Sequence, residues 1–226
     1  MEATRAPVLA DGPVRSFKLR RGRVTGTQAE AIARLWPALG VEVDGTPLDL
    51  PALFGRRAPV VLEVGPGMGE ATARMAAAEP STDLLTVDVH TPGHGNLLKL
   101  VEAAGLSNVR VGAGDALVLL RRMLAPESLA GVRVFFPDPW PKARHAKRRL
   151  VTPAFAALVA SRLVPGGTLH VATDWPDYAA QVERVVRQAP AFELVGRLPR
   201  PRTRFEQQGL DAGRTAYDVV ARRTGR

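Results

Sequence analysis

From residue 60 onward, short apolar runs alternate with glycine-bearing loops and longer stretches of mixed polarity. Val60–Val64 reads VVLEV, then comes the loop GPGMG, then a helical stretch from about Glu70 to Ala78. Leu84–Val89 (LLTVDV) is a second strand, followed by HTPGHG and a helix reaching Ala104. Val109–Val111 is a short third strand, with a helix after Asp115, and Val132–Phe136 is a fourth. A helix over Pro153–Leu163 has its proline in the first turn, where the missing N–H costs nothing. Gly167–Thr173 is a fifth strand, Trp175–Arg187 a further helix, and Phe192–Arg197 and Thr215–Ala221 two last strands. The runs at 60–64 and 132–136 barely alternate, as parallel strands covered on both faces should not. The spacing of strand, loop and helix suits βα units and predicts an open α/β sheet. In such a sheet, sites lie beyond the carboxyl ends of the strands.

Upstream the pattern is weaker. Thr27 is placed to cap a helix over Gln28–Trp36, with Glu30 at the capping-box position. Residues 38–58 scatter Gly, Pro and Asp among short apolar pieces and read as a connector. The expected organisation is a disordered stretch over 1–14, a basic arm with a short helix and connector over 15–58, and the main domain over 59–226. At 226 residues, 46% of them hydrophobic, one sizeable core is expected, and 5% aromatic residues make it aliphatic.

Five acids fall at successive strand ends: Glu63, Asp88, Asp115, Asp138 and Asp174. Loops favour Asp, but five in register predict a shared ligand site. Gly65 and Gly67 of the GPGMG loop allow the backbone to come close to a ligand. The loop lacks the second half of a dinucleotide fingerprint, and Glu63 would repel a pyrophosphate. An acid-lined pocket instead suits a cationic ligand such as S-adenosylmethionine. Glu63 would hold its amino group directly or through water, Asp88 its ribose hydroxyls and Asp115 its adenine amine. Another nucleoside on a doubly wound fold would suit the same acids.

Net charge is +9, which favours a polyanionic partner, most simply a nucleic acid. Four arginines and a lysine lie within 15–23, at Arg15, Lys18, Arg20, Arg21 and Arg23. Five more basic residues and His145 fill 142–149, directly after the PDPW of 137–140. On a helix, Arg144, Lys147 and Arg148 would share a face, flanked by His145 and Arg149. There is no ladder of aromatics for stacking single-stranded bases. The chain has no cysteine, which excludes disulfides, thiolate metal sites and a thiol nucleophile. No signal peptide or membrane span is legible, so a cytoplasmic location is expected.

Taken together, RSF at 15–17, LEVGPGMG at 62–69, VDVHTPGHG at 87–95, GDA at 114–116, FFPDPWPKARHAKRRLV at 135–151, GGTLHVATDW at 166–175 and RPRTRFEQQG at 200–209 resemble the bacterial single-subunit tRNA (guanine-N7)-methyltransferases. The resemblance implies a class I S-adenosylmethionine-dependent methyltransferase fold, Rossmann-like, with a seven-stranded, mostly parallel sheet whose last strand is antiparallel. It implies methyl transfer to N7 of a guanine in the tRNA variable loop, with no metal and no required protein subunit. Cofactor residues would be Glu63, Asp88, Asp115 and Asp138, with Asp138 also catalytic. Lys142, Asp174, Thr203, Arg204, Phe205 and Glu206 would bind substrate, and Arg144 to Arg149 would contact RNA. Departures are Asp88 for the usual Glu, Pro141 where some members carry His, Arg204 for Lys, and GPGMG for GFGMG. The competing readings are methylation of another RNA base or RNA, and an inactive RNA-binding protein.

Overall fold

The computed structural model describes residues 22–225. Arg15, Lys18, Arg20 and Arg21 lie outside them. The chain begins with helix α1 (Gly26–Leu39), strand β1 (Gly40–Glu42) and the short helix α2 (Leu50–Phe54). There follow β2 (Val60–Val64), α3 (Glu70–Ala78), β3 (Asp83–Asp88), α4 (Thr91–Ala103), β4 (Val109–Ala113) and α5 (Ala116–Val118). α5 runs into a π-helical turn at Leu119–Met123. Then come β5 (Leu129–Phe135), a 3₁₀ segment at Ala143–Arg148, α6 (Pro153–Arg162), β6 (Leu163–Thr173), α7 (Pro176–Gln188), β7 (Phe192–Val195), α8 (Arg204–Asp211) and β8 (Tyr217–Arg223).

The sheet has eight strands, in the order β1-β4-β3-β2-β5-β6-β8-β7. β8 alone runs antiparallel to its neighbours β6 and β7. The seven expected strands are all present, and the eighth, β1, comes from the segment read as a connector. It pairs with β4 along Gly40↔Val111 to Glu42↔Ala113. Three residues carry no periodicity, so this strand exists only through its partner.

Successive residues of the central strands are buried on opposite faces, which is why they do not alternate in polarity. Val61, Leu84 and Val111 pack with Met75, Leu97 and Leu98 of α3 and α4. Leu62, Leu85 and Val132 pack with Phe155, Val159 and Val182 of α6 and α7.

The start of α1 differs from expectation by two residues. Thr25, not Thr27, is the cap: its hydroxyl accepts from the Gln28 N–H, and the Gln28 side chain accepts from the Thr25 N–H. Gln28 and Glu30 both satisfy a capping box from sequence. Burial decides between them, because Gln28 packs where a Cβ on Gly95 of α4 would lie 2.7 Å from its own Cβ.

Candidate active site

At the carboxyl ends of β2, β3, β4 and β5 the loops enclose a cleft of about 910 Å³, counted out to its open mouth. Gly65, Gly67, Asp88, His90, Asp115 and Asp138 line it, and Phe205 of α8 reaches it beside Gly67. The acids at the end of β3 and just after β4 are held alike. Asp88 Oδ1 accepts from the N–H groups of Val89 and His90, at 2.7 and 3.1 Å. Asp115 Oδ1 accepts from the Leu117 N–H at 2.8 Å as the N-cap of α5. In both, the backbone fixes one carboxylate oxygen. The other takes no hydrogen bond from a described residue, so each acid presents an oriented acceptor.

Gly65 and Gly67 have φ of 73° and 63°, a region costly for residues with a Cβ. A Cβ on Gly65 would meet nothing within 4 Å, so there the backbone borders open space of the cleft. At Gly93 of α4 the constraint is contact instead: a Cβ would fall 2.1 Å from the Gly67 carbonyl oxygen. The glycine loop thus rests directly on α4. Oriented carboxylate acceptors around a bare backbone suit a ligand rich in donors, with a nucleoside and an ammonium. S-adenosylmethionine fits this donor set.

Glu63 sits elsewhere. It is not among the residues that line the cleft; it is 2% exposed and accepts a hydrogen bond from the Thr72 hydroxyl of α3 at 2.7 Å. Burial pushes its carboxyl up to about 7, against the Thr72 bond and the positive charge of Arg133. Thr72 engages only Oε2, so a direct bond from Glu63 to a ligand would use Oε1.

Asp138 lines the cleft from a loop with unusual backbone. Phe136 and Trp140 on either side have φ of 52° and 44°, in the left-handed region that bulky residues rarely occupy. The surroundings hold this geometry. Arg200 stacks over Phe136, the Arg149 side chain donates to the Pro139 carbonyl at 2.9 Å, and Arg148 stacks over the buried Trp140. Trp140 is therefore a packing residue, whereas Phe205 is 41% exposed and faces the cleft.

Several expected substrate residues have structural partners. Thr203 caps α8, and its hydroxyl accepts from the Glu206 N–H. The Glu206 carboxylate accepts in return from the Thr203 N–H and, at 2.5 Å, from Arg200. Asp174 accepts from Arg214 at 2.7 Å and packs on α8 at Gly209, where a Cβ would lie 2.9 Å from its Oδ2. Neither Asp174 nor Glu206 lines the cleft, but Glu206 belongs to the helix that carries Phe205 and Asp174 packs against it. Lys142 and Arg204 are exposed.

The basic run is a 3₁₀ segment, not an α-helix, so Arg144 and Lys147 align at i, i+3. Arg23, Arg144, Lys147 and Arg148 are exposed and His145 half-buried. Arg149 must be removed from the RNA-facing set. It is 4% exposed and donates to Gln181 and Asp177 of α7, both at 2.7 Å, while stacking over Tyr178. Arg149→Ala is expected to cost about 2–3 kcal/mol of stability, because the Pro139 carbonyl and Gln181 lose their donor and a cavity opens over Tyr178, with no change in the salt dependence of RNA binding. Thermal melts and salt titrations of RNA affinity check both halves.

Sequence reasoning passed over His90 and His94. His90 lines the cleft, and the buried His94 ring bonds the Asp88 carbonyl at 3.0 Å, bracing that strand end. It also missed Arg200 and Asp218, which reach the site only through the fold.

A family profile described as putative methyltransferase matches residues 57–219. The tRNA (guanine-N7)-methyltransferase of Streptomyces avermitilis is 57% identical over 218 residues, covering 93% of this chain and 75% of that protein. That of Nitrosospira multiformis is 51% identical over 217 residues, covering 93% and 95%. Among solved structures, the 16S rRNA methyltransferase KamB superposes with a TM-score of 0.56 at 18% identity, covering 76% of this chain and 91% of that one. TrmN from Thermus thermophilus gives 0.53 at 20% identity, covering 90% and 50%. These two likenesses show the shared class I methyltransferase fold. On identity sustained over nearly its whole length, the chain belongs to the tRNA (guanine-N7)-methyltransferase family.

Proposed function

We propose that this chain methylates N7 of a guanine in the variable loop of tRNA, with Asp88, Asp115 and the Gly65–Gly67 backbone holding the methyl donor. The observation that carries the reading is the convergence of Asp88, Asp115 and Asp138, from the ends of three strands, on one glycine-bordered cleft in a chain of this family. S-adenosylmethionine, when bound, supplies an electrophilic methyl group on a sulfonium sulfur. Guanine N7 carries an in-plane lone pair and no proton, so no residue has to act as a general base. What the chain contributes is alignment and charge. Phe205 and the PDPW loop frame the place where the base enters. Asp138 stands where positive charge develops on the guanine ring and stabilises it.

Guanine is told from adenine by its adjacent N1–H and N2 amine, which a carboxylate accepts together. Asp174 and Glu206 are the candidates, and their partners separate them. The Asp174–Arg214 pair is partly open, with side chains 20% and 44% exposed, so exchanging Arg214 for a guanine edge costs little. The Glu206–Arg200 pair is 11% and 5% exposed, and breaking it would strand a buried charge. We therefore assign base recognition to Asp174, and to Glu206 the support of α8. Lys142, Arg144, Lys147 and Arg148 are proposed to grip phosphates, which positions the RNA without reading its sequence. Action in the cytoplasm belongs to the same proposal, and action without a protein partner rests on the family resemblance. No helix of the described residues is long and apolar enough to cross a membrane.

The test is transfer of labelled methyl from S-adenosylmethionine to an unmodified tRNA transcript, followed by reduction and amine-induced scission, which cuts at N7-methylguanine. A single cut in the variable loop is expected. Label incorporated without a cut overturns the N7 assignment.

A further inference from the structure

Arg200 lies between β7 and α8, and its side chain is 5% exposed. Its guanidinium donates to both Asp218 oxygens, at 2.6 and 3.2 Å, and to Glu206 at 2.5 Å. Its plane lies over two consecutive rings, Phe135 at 5.3 Å and Phe136 at 5.4 Å. Asp218 stands on β8 and also bonds His170 of β6 at 2.7 Å, which fixes it to the sheet. Burial pushes the Asp218 carboxyl up, but the bonds from His170 and Arg200 outweigh it and hold the acid well below the usual range, so the anchor stays charged. One buried cation therefore joins three parts: the sheet through Asp218, the first turn of α8 through Glu206, and the end of β5 through two phenylalanines.

Two of those parts border the cleft at different places, α8 where Phe205 lies beside Gly67, and the loop after β5. Glu206 is next to Phe205, and Phe136 is two residues before Asp138. Burying an ion pair is poor economy for stability alone, since a well-packed apolar side chain often serves as well. What a planar guanidinium adds is direction: two carboxylates are held in its plane while its face stacks on rings, which an ammonium cannot reproduce.

We infer that Arg200 is a positioning residue that sets the separation between Phe205 and the Asp138 loop at the cleft, an inference that rests on reading the cleft as the methyl-donor site. It acts through its neighbours, without touching the ligand.

The test is a double-mutant cycle read by binding of S-adenosylhomocysteine. That ligand contains no guanine, so a role of Glu206 or Asp174 in base recognition leaves the readout unmoved. Calorimetry gives the dissociation constant and the number of sites, which removes any misfolded fraction from the comparison. Arg200→Lys is expected to weaken binding about tenfold in the wild-type background and about twofold or less in a Phe205→Ala background, because the wall it positions has gone. Should Arg200→Lys fail to fold, Glu206→Gln breaks the same link and is expected to show the same coupling. Wild-type protein that binds no S-adenosylhomocysteine overturns the cofactor reading, and this inference with it. Wild-type binding with equal losses in both backgrounds, or a loss of sites at unchanged affinity, overturns the role of Arg200 alone.

Discussion

Replacing Asp138 with Asn is expected to slow single-turnover methyl transfer by roughly 10²-fold, with a much smaller change in S-adenosylhomocysteine affinity. Asn keeps the shape of Asp and one acceptor oxygen, so hydrogen bonding in the ground state is largely retained. It lacks the negative charge, which matters most as positive charge builds on the guanine ring. The effect is large because the carboxylate is held in place beforehand. Phe136 and Trp140 are locked at positive φ on either side, and prolines at 137 and 139 restrict the rest of the loop. Fixed charge in a cleft costs no reorganisation during the reaction, which is where such groups gain over water. Rapid-quench measurement at saturating tRNA and cofactor isolates the chemical step. An unchanged rate would refute the electrostatic role, and an equal loss of cofactor affinity would reassign Asp138 to binding.

Glu63→Gln should make the unliganded protein more stable at pH 8, by roughly 3 kcal/mol, and no more stable near pH 4. The folded carboxyl titrates at about 7, against an ordinary value of 4.5. Below about pH 4.5 it is protonated in both the folded and unfolded chain. As pH rises toward 7, the unfolded chain gives up the proton and the folded chain keeps it, so stability is lost across that window. Above 7 both are ionised and the loss is complete. Gln is neutral throughout and still accepts from the Thr72 hydroxyl, so it avoids the buried charge without giving up the bond. For a chain of this size the gain corresponds to a melting temperature higher by roughly 6–12 °C at pH 8. Melts of both proteins from pH 4 to 8 test this, and parallel curves would show that Glu63 does not titrate in this range. Retention of S-adenosylhomocysteine affinity by the Gln protein would separate Glu63 from the methionine end of the cofactor.

These two carboxylates show how differently sequence and structure speak. Glu63 and Asp138 occupy equivalent places in the repeating pattern, each at a strand end, and sequence alone treated them as members of one acid ring. The fold divides them. Asp138 lies beyond the strand, on a loop bent toward the cleft. Glu63 is still within β2, so its side chain is committed to a face of the sheet, and the hydroxyl awaiting it is on α3. The basic run divides in the same way. Arg148 and Arg149 are adjacent and identical, yet the first lies exposed over Trp140 and the second is buried against α7.

By itself the sequence determined the central strands, the glycine loop, the positions of the acids, the positive charge and the family. Each of these is local: a β-branched run, a turn that needs glycine, a motif read within some fifteen residues. Only the tertiary structure decided that β1 joins the sheet, that Thr25 and not Thr27 caps α1, that Arg149 turns inward, and that Arg200 ties α8 to the end of β5. The physical reason is the same in each case. Backbone propensity and periodicity act between near neighbours, whereas a side chain's partner is chosen by packing. The atoms that fix these choices, on β4, α4, α7 and β8, come from distant parts of the chain and meet only when the sheet has formed.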